Sequence, residues 1–277
     1  MTCLPLNIFA GNFFRVFLTA VLLSTLPASS PAEPVAVRHV EGTLHGFLSL
    51  RTTDGRVVAA GDLIQTVRGD RVTAHLIFHF KDGSLDDETT IFSQRHTFQL
   101  ISDHHIQKGP FFPHPIDLTI DARSGQVTLR STGKDGKPEV TTDHLNLPPD
   151  LANGIVSILV RNLPPEAPVT NLSMLVAAPK PRVVKLVITP RGEDPFNHAG
   201  FPRKASRFDI KFQLGGVAGV VAPLVGKQPP DVQLWVVGGE VPTVVREEGI
   251  TYEGGPTLIM ELYAPTWSAP SNPAPAK

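Results

Sequence analysis

In Arg71–Phe80 apolar and polar side chains alternate: Val72, Ala74, Leu76, Phe78 and Phe80 share one face, and Arg71, Thr73, His75, Ile77 and His79 the other. A period of two is the signature of a half-buried antiparallel strand. Arg207–Leu214 repeats it more cleanly, with Phe208, Ile210, Phe212 and Leu214 set against Arg207, Asp209, Lys211 and Gln213. A chain built from such segments must cover one face of a sheet and leave the other to water. Lys81-Asp82-Gly83-Ser84 closes the first segment with a turn in which Asp-Gly takes positive φ.

The same reasoning places strands at Thr43–Leu50, Val57–Val67, Gln94–Ile101, Asp117–Asp121, Gln126–Ser131, Val183–Thr189, Val232–Val237, Val241–Arg246 and Thr257–Tyr263. Together they make roughly ten to twelve strands. No regular strand–helix–strand rhythm runs through the chain, which argues against a doubly wound parallel sheet. One helix is expected at Leu151–Leu163, between Pro148-Pro149 and Pro164-Pro165. Its apolar stripe is Leu151, Ile155, Ile158 and Leu159, with Asn162 as the polar exception. Asn153 and Gly154 cost it propensity, so burial against a sheet must hold it. A poorer helix is read at Val217–Val225, a long surface loop at Pro190–Ala205, and a flexible Pro-rich tail at 264–277.

The first 32 residues read as a secretory signal: Arg15, the apolar run Val16–Leu26, and the small-residue box Ser30-Pro31-Ala32. The run is short for a membrane span. The mature chain is therefore expected to begin near Glu33, outside the cytoplasm in the periplasm or beyond, and not as an integral membrane protein. The single cysteine, Cys3, falls within that leader, which leaves the mature chain without a disulfide or a thiolate metal site. A formal net charge of -1 gives no electrostatic reason to propose nucleic acid as a partner.

Ten histidines raise the question of a metal. His75 and His79 lie roughly 13 Å apart along one strand face, too far to share an ion. His104, His105 and His114 with Asp103 form a denser group, yet no tight ligand spacing such as HExxH is present. No metal site, catalytic residue or cofactor is assigned. Asp86-Asp87-Glu88 follows a turn and reads as a solvated edge, Glu193-Asp194 as part of the surface loop, and Glu247-Glu248 as solvent-facing. Asp143-His144 reads as a loop anchor that accepts backbone N–H groups.

Three short segments carry a resemblance. They are Thr119-Ile120-Asp121 with Gly125-Gln126-Val127, the stretch Asp143–Gly154, and Gly226–Asp231. Through them Gly61–Tyr263 resembles a family of uncharacterised exported bacterial proteins, related in fold to the periplasmic lipoprotein carriers and their outer-membrane receptor. The resemblance implies a mainly β fold: one strongly curved antiparallel sheet, a half-barrel, wrapped around one or two short helices in a single domain spanning 33–263. It also implies an apolar cavity that holds acyl chains.

Two functions stay open at this level. One is a binding or structural protein that holds a lipid or other apolar ligand in the concave face, with Leu151, Ile155, Ile158, Leu159, Phe78, Phe98 and Phe212 as candidate contacts, and with an envelope protein as a further partner. The other is an envelope hydrolase or metal-dependent enzyme using His104, His105, His114 or Asp143. A compact His/Asp group in a polar cleft would favour the second. An apolar cavity without such a group would favour the first.

Overall fold

The computed structural model describes residues 33–133, 136–177, 180–198, 200–214 and 229–264. The leader, the Val217–Val225 segment, the first three residues of Gly226–Asp231 and the tail from residue 265 lie outside them. Among the described residues no helix is long and apolar enough to cross a membrane.

A first meander runs through β1 (Leu44–Thr52), β2 (Val57–Arg68), β3 (Arg71–Phe80), β4 (Leu85–Gln94), β5 (Phe98–Lys108), β6 (Ile116–Asp121), β7 (Gln126–Thr132) and β8 (Pro138–His144). A short helix, α1 (Val156–Arg161), follows. A second meander runs through β9 (Thr170–Val176), β10 (Arg182–His198), β11 (Phe201–Gln213), β12 (Val232–Val237), β13 (Thr243–Ile250) and β14 (Thr257–Leu262). Every pairing is antiparallel, and β14 pairs with β1, so the two meanders fuse into one 14-stranded sheet with β8 and β9 at its open edges. The fold is mainly β: one strongly curved antiparallel sheet, a half-barrel that does not close, around a short helix.

The alternation seen in the sequence sets the faces. In β3, Val72, Ala74, Phe78 and Phe80 are buried, and His79 points outward. The turn to β4 forms as the Asp-Gly pair dictates: Gly83 sits at φ 88, and its N–H donates to Phe80 O at 3.1 Å. Pro190–Ala205 is not a loop. It continues β10 and β11 into a long hairpin, with Glu193 opposite Ser206 and Asp194 opposite Ala205. Its polar, Pro-containing sequence hides the strand because both faces there are largely solvated. Gln94–Ile101 is in turn not one strand, since the chain reverses between Gln94 and Phe98.

The helix is shorter than the apolar stripe suggests. Leu151 is bridged to Ser173 of β9, and Ala152 N–H donates to Ser173 O at 2.8 Å, so this part of the stripe is extended chain. Asn153 continues the same contact. Its Oδ1 accepts from Leu175 N–H at 2.8 Å, and its Nδ2 donates to Leu175 O at 2.9 Å, as a strand residue would. Asn153 thereby covers part of the open edge at β9. Gly154 then turns at φ 66, and a Cβ there would overlap Thr90 Oγ1. Only glycine satisfies both the backbone and the space.

From there Ile155, Ile158 and Leu159 pack with Phe92, Phe98 and Phe208 in the main core cluster. The polar exception has its explanation too. Asn162 is buried, its Oδ1 accepts from the N–H groups of Arg38 and His39 at 3.0 and 2.8 Å, and its Nδ2 donates to Ile158 O. It ties the end of α1 to the segment that precedes β1. Glu41 in that segment pairs with Arg161 and accepts from Gln65 Nε2 at 3.0 Å.

Candidate functional site

The paired registers of β4 and β5 place a polar column on the inside of the half-barrel. Asp86 stands opposite Gln107, Glu88 opposite His105, and Thr90 opposite Asp103. Strand alternation requires this: once Phe92 of β4 is fixed in the core, Thr90, Glu88 and Asp86 follow it onto the same face. The acidic run after the turn is therefore a strand, with Asp87 outside and Asp86 and Glu88 inside, and not a solvated edge.

On β13, Glu247 lies in register between Leu234 of β12 and Met260 of β14, so it too faces inward. Its neighbour Glu248 points the other way, where Arg246 Nη2 donates to it at 3.1 Å. The expectation that both acids face solvent holds for Glu248 and fails for Glu247. Curvature brings β13 round to face β4 and β5. Gln107 Nε2 spans the gap, donating to Thr251 O at 2.8 Å and to Asp86 Oδ2 at 3.0 Å.

Between these walls lies a cavity of about 280 Å³. Its polar lining is Asp86, Glu88, His105, Gln107 and Glu247; its apolar lining includes Leu50, Leu76, Phe78, Met174, Leu258 and Met260. Gly154, Val156 and Ser157, at the start of α1, form the floor. The cavity is thus mixed, with acids gathered among aliphatic and aromatic walls.

Electrostatics within it follow from withdrawal of charge from water. His105 Nε2 is 2.7 Å from Asp86 Oδ1, and its Nδ1 is 4.0 Å from Glu88 Oε1. Burial opposes the imidazolium, but the Asp86 hydrogen bond and the charges of Glu88, Asp86 and Asp103 outweigh it and raise His105 to about 9. Burial raises Glu88 above the ordinary carboxylate range, with His105 opposing. Asp103 is raised to about 8 by burial and by Glu88. Its Oδ1 accepts from Thr90 Oγ1 at 2.9 Å, and its Oδ2 is buried with no partner among the described residues. Glu247 is raised to about 7 by burial, with no hydrogen bond or opposite charge among the described residues to offset it.

The histidines expected to cluster are divided by the sheet. His104 and His105 are consecutive strand residues, so they emerge on opposite faces. His104 meets Asp117 on the outside at 3.0 Å, while His105 is in the cavity. His114 is exposed in the β5–β6 connection, and Asp143 is on the edge strand β8. Outside, the pairing repeats on alternate strands: His45 with Asp62 and His75 with Asp87, each at 2.8 Å. Among the described residues no group of three or more His, Cys, Asp or Glu side chains is arranged to hold a metal ion.

Of the seven candidate ligand contacts, Phe78 lines the cavity. Ile155, Ile158, Leu159 and Phe98 are buried in the main core, with Phe212 packed against it, and Leu151 belongs to a separate core cluster with Leu118, Ile120 and Leu175. Sequence reasoning missed Asp86, Glu88 and Glu247 as inward groups. The available signal was the spacing of Asp86, Glu88, Thr90 and Phe92, which share one strand face if the turn at Gly83 starts a strand.

These features define a curved-sheet β protein with an acid-lined interior cavity. No family model matches the chain, and no curated protein does. Among solved structures it is similar to a β-barrel-like protein of the domain of unknown function DUF1849 from Brucella abortus. That likeness has a TM-score of 0.45 at 9% identity and covers 81% of this chain and 97% of the other.

Proposed function

We propose that this is an exported binding protein whose concave cavity takes a small amphipathic molecule. One observation carries the reading: in a single concave space open on one side, apolar walls from β1, β3, β9 and β14 meet ionisable groups from β4, β5 and β13. Small-molecule sites commonly combine a mostly apolar lining with a few convergent polar groups. A volume of about 280 Å³ falls just below the usual span of such sites, roughly 300–1,000 Å³. It suits one short chain with a polar head, and is small for a diacyl lipid.

The hydrolase alternative has weaker support. A general base works when its pKa lies near the operating pH. Of the groups named for that reading, His105 in the cavity is raised to about 9 and so is mostly protonated at neutral pH, while His104 lies on the outer face and Asp143 on an edge strand. Asp86 and Gln107 hold His105 in place as part of the cavity wall. In the binding reading Phe78 touches the ligand, while Leu151, Ile155, Ile158, Leu159, Phe98 and Phe212 act at one remove by seating α1 and its preceding turn, which form the floor.

Native mass spectrometry of the gently purified full chain, incubated with a total small-molecule and lipid extract, tests this. The expected result is a one-to-one adduct of low mass that disappears in Leu76→Trp, which fills the cavity. No adduct, or one that survives Leu76→Trp, would contradict the proposal.

A further inference from the structure

The cavity has a built-in preference of charge, and this inference rests on the binding reading above. Three carboxylates enter it, from Asp86, Glu88 and Glu247, against one imidazolium, His105. Asp86 is already engaged, by His105 at 2.7 Å and by Gln107 at 3.0 Å. Glu88 has only a loose approach to His105, at 4.0 Å. Glu247 has neither a hydrogen bond nor an ion pair among the described residues, and its strand neighbours on the inner face are Leu234 and Met260.

Glu247 is half-buried against apolar strand neighbours, so its carboxylate is short of both water and a partner, and a cationic ligand in the cavity would supply one. Arg246, the nearest cation in sequence, cannot supply it. It is on the outer face, with Glu261 and Glu248. We propose that Glu247 and Glu88 bind the ammonium group of a small amphipathic amine, whose alkyl part rests on Leu76, Phe78, Met174 and Met260. Asp86 neutralises His105, so the cation faces an excess of negative charge. A fatty acid of equal length would instead add a carboxylate to a site that already strains to keep its own ionised.

The chemistry predicts proton linkage. An ammonium beside Glu247 favours its ionised form, so binding near pH 7 releases protons to the buffer. The same coupling makes amine affinity rise from pH 6 to pH 8.

Isothermal titration of the full chain at pH 8 with hexylamine, hexanol and hexanoate separates the possibilities. Hexylamine is expected to bind at least ten times more tightly than hexanol, about 1.4 kcal/mol, with hexanoate weakest. In Glu247→Gln the ratio of hexylamine to hexanol affinity should fall towards one. Repeating the hexylamine titration of the unaltered protein at pH 7 in buffers of different ionisation enthalpy should show proton release, a readout that does not depend on the variant folding. Hexanoate binding as well as hexylamine, an undiminished preference in Glu247→Gln, or no proton release would overturn the assignment. Hexanol binding equal to hexylamine would remove the ammonium site but keep the binding reading. Failure of all three probes to bind would remove both.

Discussion

The imidazole of His105 stands 2.7 Å from the carboxylate of Asp86 inside the half-barrel, and the pair holds a proton that unfolding releases. His105 is raised from 6.5 to about 9, so the folded chain keeps a proton that the unfolded chain releases between those values. Asp103, raised from 3.8 to about 8, and Glu247, raised from 4.5 to about 7, act in the same direction over lower windows. In all three the folded state binds more protons, so the stabilisation is complete below the unfolded pKa and is lost as pH rises through the folded one. Thermal melts should therefore show Tm falling from pH 5 to pH 9. A flat or rising Tm over that range would contradict the assignment.

Gly154 is expected to tolerate no side chain. Its φ of 66 costs an L-residue roughly 1–2 kcal/mol. The clash of a Cβ with Thr90 adds about 1–3 kcal/mol of overpacking. Gly154→Ala should thus lose about 2–5 kcal/mol in denaturant melts. A change within about 0.5 kcal/mol, the usual size of a surface substitution, would mean that the turn does not press on β4.

Leu159 and Ile158 fill the core without lining the cavity. Truncating either to Ala should cost about 2–5 kcal/mol. Affinity for a cavity ligand, measured well below the melting transition, should change little. Large loss of affinity with intact stability would place these side chains in the site after all.

Asn162 holds two backbone N–H groups of the segment that precedes β1. Asn162→Ala should cost about 1–3 kcal/mol, the range for leaving such donors unpaired. Hydrogen exchange should quicken first at Arg38 and His39. Unchanged exchange there would rule out Asn162 as the tie.

How much of this was legible in the chain depends on what each strand faces. β3 and β11 announce themselves because their inner sides meet an apolar core. β4 does not, because Asp86, Glu88 and Thr90 face the cavity or its edge, and an inward polar strand has the same pattern as a solvated one. The helix stripe correctly marked Ile155, Ile158 and Leu159 as buried, but it could not distinguish Leu151, buried on an extended segment, from a helical neighbour. Glu247 carried no sequence signal. Its approach to Glu88 arises from curvature accumulated over the intervening strands, which no local pattern encodes. His104 and His105, by contrast, could have been separated from strand alternation alone.

The chain has three methionines, and the two within the described residues, Met174 and Met260, both line the cavity. Methyl NMR of protein labelled at methionine therefore reports directly on the central claim that the cavity receives a ligand. On titration with hexylamine at pH 8, the Met174 and Met260 methyl resonances should shift together and saturate with one common Kd. Both resonances staying fixed up to the solubility limit of the amine would contradict the account.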